Sequence, residues 1–451
     1  MPDARPEVFL RLGSHAEKQY ILKTLKLFRG LLVGANLLES TPGATVSLAL
    51  KILGSFKRQF AIDPMTYVFG MDLSYIQSQT MDRASGRTGA KKTGLKKSFS
   101  GLASRFGEPI SSAVTKERRP VSPLDFDEAA IEGLAKTTLD YQLNRMREIW
   151  ESDPQFSEFV KELHAPSFTF APYFYTPYGE AGTAWEEWHK LNRALAGAYR
   201  NLGGGGERHA VICIGPRILT SMQDAIRVVT EYIDAGCEAY WFWFSALAEE
   251  KLATDRLKVL VALVNLLRDA NRRAYNVHGS FLSALLNKHG LTGFSHGVGY
   301  GESKDVIPVI GVTVPTVNYH LPPLHVRVPI LEVQRALGAL GITDADEFHA
   351  NICDCTVCKG VLGGDLANLG QFGDFVLKLG NTRQSQTPDS AKKCRFHFLL
   401  ARYKEIEKVG SSSSEVLKAE LKQIADQYEG LPSYLGLAGR ASHLRVWRSA
   451  L

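Results

Sequence analysis

Ala239-Tyr-Trp-Phe-Trp-Phe244 is an unbroken run of six apolar residues. It is too short for a buried helix and rich in the aromatic side chains that suit strands. On either side lie amphipathic stretches, Ser221 to Ala235 and Leu252 to Ala270, with apolar residues at helical spacing. The alternation continues outward. Upstream, His209-Ala-Val-Ile-Cys-Ile-Gly215 reads as strand and Trp185 to Tyr199 as helix, with Gly203–Gly206 as a flexible connector. Downstream, Ala274-Tyr-Asn-Val-His278 reads as strand, Phe281 to Lys288 as helix and Thr292-Gly-Phe-Ser295 as strand. Strands alternating with helices of this length imply parallel βαβ units. No GxGxxG follows the first strand, which favours a closed barrel over a dinucleotide-binding sheet.

Further upstream, Ser167-Phe-Thr-Phe-Ala-Pro-Tyr173 reads as another strand, Asp125 to Trp150 as a helix after Pro123, and Phe60-Ala-Ile-Asp63 as a short buried strand ending in an acid. Residues 1–54 read as a helical segment from the spacing of Ile21, Leu22, Leu25, Phe28, Leu31 and Leu32. The expectation is an α/β chain: a (β/α)8 barrel over 55–345, a zinc-binding subdomain over 346–410 and a C-terminal helical tail over 411–451.

The zinc expectation rests on Cys353-Asp-Cys355-Thr-Val-Cys358, which holds three of the six cysteines. Thiolates this close can converge on one tetrahedral ion. The candidate fourth ligand is His397, at the start of a helical pattern, with Cys394 as its rival. Four protein ligands would make such a zinc structural, since a catalytic zinc keeps an open position.

The 451 residues are 45% hydrophobic and 22% charged, as in an ordinary globular protein. No apolar run approaches the twenty or so residues that span a bilayer, and Met1 to Glu7 carries no signal-peptide pattern. Cytoplasmic residence is the default expectation. Of 53 basic and 47 acidic residues, ten and two fall within 83–119, leaving 43 against 45 elsewhere. The positive excess is thus confined to one Gly/Ser/Thr-rich segment, which reads as a mobile loop that grips phosphates. Walker, His-Glu-x-x-His and Gly-x-Ser-x-Gly patterns are missing from the sequence, which argues against nucleotide hydrolysis, zinc proteolysis and esterase activity.

The cysteine knuckle, a long gap and a His opening an amphipathic helix resemble the zinc subdomain of the tRNA-guanine transglycosylases, (β/α)8 barrels that exchange guanine for a 7-deazaguanine. The gap of thirty-eight residues between Cys358 and His397 is longer than the family pattern, with 360–390 as the expected insertion. Asp63 matches the family's catalytic Asp at the end of an early strand, although Pro64-Met65 follows it in place of Ser-Gly. Phe170-Ala-Pro-Tyr173 through Thr176-Pro-Tyr178 resembles the segment that reads the guanine edge, with Tyr173 where the family has Asp. Gly293-Phe-Ser295-His296 resembles the nucleophile segment, with Ser295 in place of the Asp. The resemblance then implies Asp63 or Glu302 as the carboxylate, His296 as acid/base, and Tyr173, Gly215, Ser245 and Ser295 as substrate contacts. The long basic segment, the lengthened gap and the altered motifs resemble most the DNA-modifying paralogues. They imply an enzyme, a pentosyltransferase that exchanges guanine in DNA for a preQ0-like base through a covalent glycosyl-enzyme intermediate. The implied partners are DNA and a free 7-deazaguanine, with room for an accessory protein that opens the duplex. The alternatives are a divergent tRNA enzyme and a non-catalytic zinc-containing nucleic-acid-binding module.

Overall fold

The computed structural model describes residues 5–81, 88–154, 165–204, 206–299, 301–307, 316–377 and 384–451. Its centre is an eight-stranded, wholly parallel sheet. The strands are β1 (Glu7–Leu12), β2 (Gly30–Gly34), β3 (Gln59–Asp63), β4 (Phe168–Phe170), β5 (Glu207–Ile214), β6 (Ala239–Phe244), β7 (Arg273–Asn276) and β8 (Leu291–Gly297). They run β3-β2-β1-β8-β7-β6-β5-β4, which is chain order around a ring. At the seam the Ser167 amide donates to the Phe60 carbonyl at 2.8 Å, so the barrel is nearly closed. Neighbouring strands approach closely enough to require glycine at two places. A Cβ on Gly293 would stand 1.9 Å from the Glu7 carbonyl oxygen, and one on Gly30 would stand 2.3 Å from that of Gln59.

Alternate residues of each strand face inward. Phe9, Phe168, His209, Trp241 and Tyr275 meet there, with Trp241 stacked on Tyr275 at 4.4 Å and His209 on Phe168 at 4.1 Å. The Trp241 indole N–H donates to His209 Nδ1 at 3.1 Å. Each large ring removes roughly 150–250 Å² from water, about 4–6 kcal/mol apiece as an upper bound. This plug fills the lower barrel. Arg11 and Trp243, two positions beyond Phe9 and Trp241, line the end where the strands finish, together with Cys213 and Asp63 near the ends of β5 and β3.

The helices α1 (Lys18–Thr24), α2 (Pro42–Leu50), α3 (Glu128–Ser152), α4 (Trp185–Asn201), α5 (Met222–Asp234), α6 (Thr254–Asp269) and α7 (Phe281–Leu285) follow strands β1 to β7. The eighth, α8 (Pro388–Ser411), contacts both α7 and α1, and Phe396 meets Tyr20 of α1 at 4.9 Å. The cysteine knuckle and the hairpin β9 (Tyr319–Leu321) and β10 (Val326–Val328) therefore lie in an insertion between β8 and the helix that completes the barrel. Two helices, Ser414–Glu429 and Ser442–Arg448, form the tail, and the Trp447 indole donates to the Glu249 carbonyl. No helix among the described residues is long and apolar enough to cross a membrane.

Two expectations are corrected. Residues 1–54 are no separate helical segment: they supply β1, β2, α1 and α2, so the barrel begins at Glu7 rather than at 55. The basic segment 83–119 is a folded element over much of its length. Lys97–Phe106 is a helix that buries Phe99, Leu102 and Phe106, and it follows a hairpin of Gln77–Met81 with Thr88–Leu95. Residues 82–87, with Arg83 and Arg87, lie outside the described residues. The 360–390 insertion carries a 3-10 helix, Leu366–Gly373, and residues 378–383 are likewise outside.

A chain starting at residue 55 should lose cooperative unfolding, because two barrel strands go with the deletion. Near-UV circular dichroism and a thermal scan would show it. A deletion that still melts cooperatively near the full-length temperature would mean that β1 and β2 are dispensable.

Candidate functional site

The knuckle and α8 bring four donor atoms together. His397 Nδ1 lies 3.7, 3.5 and 3.3 Å from the sulfurs of Cys353, Cys355 and Cys358, and all four donor atoms lie within 4.8 Å of one another. A tetrahedron with Zn–S and Zn–N bonds of roughly 2.3 and 2.0 Å has N···S edges of about 3.5 Å, so the spacing suits an ion of that kind. The His397 ring is fixed by two contacts. Nε2 donates to the His320 carbonyl at 2.6 Å, which leaves the Nδ1 lone pair for the metal, and Tyr319 stacks on the ring at 4.1 Å. Burial opposes charge on this imidazole, yet the Cys353 and Cys355 sulfurs outweigh it and raise its pKa to about 10. The buried Cys3His cluster can hold a metal ion, and its donors are those zinc prefers. The rival ligand is elsewhere: the Cys394 thiol donates to the Phe372 carbonyl at 3.1 Å.

One turn further along α8, Arg402 is fully buried between two carboxylates. It pairs with Glu302 and, at 2.7 Å, with Glu405. Glu405 also meets His320 at 2.9 Å and His325 at 2.7 Å. Arg327 of β10 pairs with Glu302 at 2.9 Å. Burial works against ionising Glu302, but Arg327 and Arg402 prevail and hold its pKa at about 2. Glu302 is therefore committed to Arg327 of the insertion and Arg402 of α8, and is not a partner of Asp63. His296 is also placed apart. Because side chains alternate along a strand, Ser295 faces the barrel interior while its neighbour turns out to the helix layer, against Phe28 and Phe398. The expected acid/base is thus on the far side of β8 from the mouth. The Ser295 hydroxyl donates to the Val277 carbonyl.

The mouth itself is built around Asp63. Its Oδ1 accepts from the Tyr173 hydroxyl at 2.8 Å and from the Met65 amide at 3.0 Å, and its Oδ2 accepts from Arg11 Nη2 at 2.7 Å. Burial, and then the Asp63 charge, push the Tyr173 phenol well above its usual range, so it stays a neutral donor. Burial alone would lower the Arg11 pKa, but Asp63 raises it, and the guanidinium keeps its charge. Tyr67 stacks on Tyr173 at 5.6 Å, and Trp243 meets Tyr67 edge-on at 4.9 Å. Over these rings lies segment 301–307. The Lys304 carbonyl accepts from the Trp243 indole at 3.0 Å, and its ammonium sits 5.9 Å from that ring. Ser245 donates to Asp305 at 2.8 Å, so its hydroxyl anchors the segment. Gly215 N donates to the Thr176 carbonyl, and a Cβ there would stand 2.6 Å from the Tyr178 carbonyl oxygen. His278 donates from Nδ1 to the Gly301 carbonyl at 2.9 Å, while its buried Nε2 has no hydrogen-bond partner among the described residues.

No protein-family model matches the chain, and no curated protein matches it.

Arg11, Tyr67, Trp243, His278 and Lys304 are mouth residues that sequence reasoning missed. Trp243 and His278 are the penultimate and last residues of predicted strands, a signal that could have found them. Arg11 was hidden by the helical reading of residues 1–54.

Metal analysis should find about one ion per chain, retained in Cys394→Ser and lost in His397→Ala together with much of the fold around 350–400. Full occupancy in His397→Ala would remove that histidine from the ligand set. Acid should also destabilise the protein. Burial, the largest influence, lowers the His296 pKa from an ordinary value near 6.5 to about 4. The stabilising difference is complete above pH 6.5 and is lost as the pH falls toward 4, at most about 3 kcal/mol for this ring. His296→Phe should flatten the loss of melting temperature between pH 6.5 and 4, and an unchanged slope would assign that loss to other groups.

Proposed function

We propose that the chain is a transglycosylase that exchanges guanine in DNA for a 7-deazaguanine base, with zinc holding the inserted subdomain. The observation that carries this reading is the Asp63 carboxylate, held by Arg11 and Tyr173 where β3 of a (β/α)8 barrel ends. Aromatic rings beside it suit a base flipped out of the stack. A Cys3His cluster inserted before the last barrel helix supports the same reading.

Oδ2 of Asp63 accepts one hydrogen bond and keeps a lone pair for chemistry. In the first step that oxygen bonds to the sugar C1′ while the C1′–N9 bond breaks. The electron pair leaves with guanine, which takes up a proton. In the second step N9 of the incoming base bonds to C1′ and gives up its proton. The ester bond breaks, and the carboxylate is restored. Arg11 would steady the carboxylate between the two steps, and Tyr173 would keep it oriented.

One observation favours a non-catalytic nucleic-acid-binding module instead: the serine at the resembled nucleophile position is hydrogen-bonded to a backbone carbonyl. Incorporation of labelled guanine into duplex DNA, single-stranded DNA and tRNA decides between the readings. DNA-dependent incorporation supports the proposal, tRNA-only incorporation assigns the tRNA enzyme, and none on any substrate assigns the binder.

Asp63→Asn should abolish exchange by several orders of magnitude and leave no covalent protein–DNA adduct on denaturing gels, with metal content unchanged and cooperative melting retained at a lower temperature, because Arg11 loses its counter-charge. Exchange within about tenfold of wild type would remove Asp63 as nucleophile. Binding to the phosphate backbone should come from the cations free to reach it. Arg105, Lys116 and Arg119 are engaged by Glu148, Glu108 and Asp125, whereas exposed Lys96, Lys97 and Arg118 have no ion pair among the described residues. Replacing those three with Ala should flatten the salt dependence of DNA binding, by about 0.9 in log–log slope for each phosphate no longer neutralised. An unchanged slope would place the phosphate-binding cations elsewhere.

A further inference from the structure

His278 stands two residues beyond β7, at the end of the barrel that carries Asp63. A carbonyl oxygen only accepts, so the 2.9 Å contact with Gly301 puts the hydrogen on Nδ1 and leaves Nε2 as a lone-pair acceptor. That nitrogen is buried and has no partner among the described residues. Buried polar atoms without a partner are uncommon in folded proteins and ask for an explanation. The ring itself is well fixed. Trp243 meets it at 5.1 Å and 65°, and Gly301 belongs to the same segment that Ser245, Ala246 and Trp243 pin over the mouth. Nothing in the base-exchange steps uses it.

The groups around the ring decide its state and its preference. Burial first, then the charges of Arg11 and Lys304, disfavour a proton on it, so the ring is a neutral acceptor among donors. The nearby cations can give hydrogen bonds and His278 can only take one at Nε2. An amino-lactam edge, with an N–H beside a C=O, carries the complement of that set. Tyr67, Tyr173 and Trp243 pack against one another at this end of the barrel and give it an aromatic surround.

We infer that His278 is a base-binding residue, its Nε2 accepting a hydrogen bond from a ring or amino N–H of the amino-lactam heterocycle that enters the mouth. This rests on the base-exchange reading. The orphan nitrogen is then a place kept for substrate, and the Gly301 carbonyl selects the tautomer that can serve it. A base lacking an N–H on that edge meets an acceptor it cannot satisfy, which is the strong form of discrimination in a buried site.

The test uses the full chain, free 7-deazaguanine as probe, and the variants His278→Phe and His278→Gln. Calorimetric titration should show binding weakened about tenfold or more in His278→Phe, and kept within about threefold in His278→Gln, whose amide oxygen can accept. Melting temperature and metal content should not change. In wild-type protein with ¹⁵N-labelled histidine, the Nε2 resonance of His278 should move when the base is added. If wild type binds the base while His278→Phe binds it equally well and the resonance stays put, the inference is wrong and base exchange stands. If wild type neither binds 7-deazaguanine nor exchanges guanine, the base-exchange reading falls and takes this inference with it. Should His278→Phe fail to fold, His278→Gln and the resonance decide: weak binding by His278→Gln with an unmoved signal overturns the assignment.

Discussion

The hydrogen bond from His397 Nε2 to the His320 carbonyl governs more of this molecule than its 2.6 Å suggests. It fixes the tautomer, and so turns Nδ1 toward Cys353, Cys355 and Cys358. The same helix is the eighth helix of the barrel, docked on α1 and α7. A metal bound at its inner face would therefore fasten the insertion to the barrel wall as well as fold the knuckle. One turn along, Arg402 carries the connection onward to Glu302, and from there the chain runs into the segment over the mouth. The candidate metal centre and the candidate catalytic end are thus joined by one helix and one short run of backbone.

Buried charge makes that junction directional. Arg402 is fully buried and pairs with the buried Glu405 and the half-buried Glu302, and Arg327 completes the set. Such a group contributes little net stability, because desolvation offsets much of the attraction. Removing any one member, however, would strand an uncompensated charge in the interior. The arrangement fixes where segment 301–307 can lie, which suits a stretch whose carbonyls hold both His278 and Trp243.

How far the sequence disclosed this depended on which physical signal each part carried. The strands from 207 to 244 are long apolar runs between clean helical periods, and their bounds are legible almost to the residue. The metal ligands were legible because close cysteine spacing has few other uses. The first two strands were not. Ile21, Leu22 and Leu25 belong to α1 and its last turn, while Leu31 and Leu32 belong to β2, yet together they keep a spacing that passes for one helix. The glycines at the two ends of β2, Gly30 and Gly34, were the available sign of a strand. The lapse mattered, because Arg11 went with β1.

Misassigned roles have a different cause. Adjacent residues such as Ser295 and His296 look equally available in a sequence, but on a strand one faces the barrel and the other faces the helices. Glu302 follows a run of glycines and reads as free to reach the mouth, until two arginines from distant segments claim it. Electrostatic partners separated by 25 and 100 residues leave no local trace. Asp63 escaped this difficulty because its position, the last residue of a short buried strand, is itself a local feature. Its partners Arg11, Tyr173 and Met65 come from three segments, and only closure of the barrel brings them to one carboxylate. The chemistry proposed for the mouth is thus a consequence of the ring closing, and strands β1 and β3 must both be in place before Asp63 has the partners that orient it.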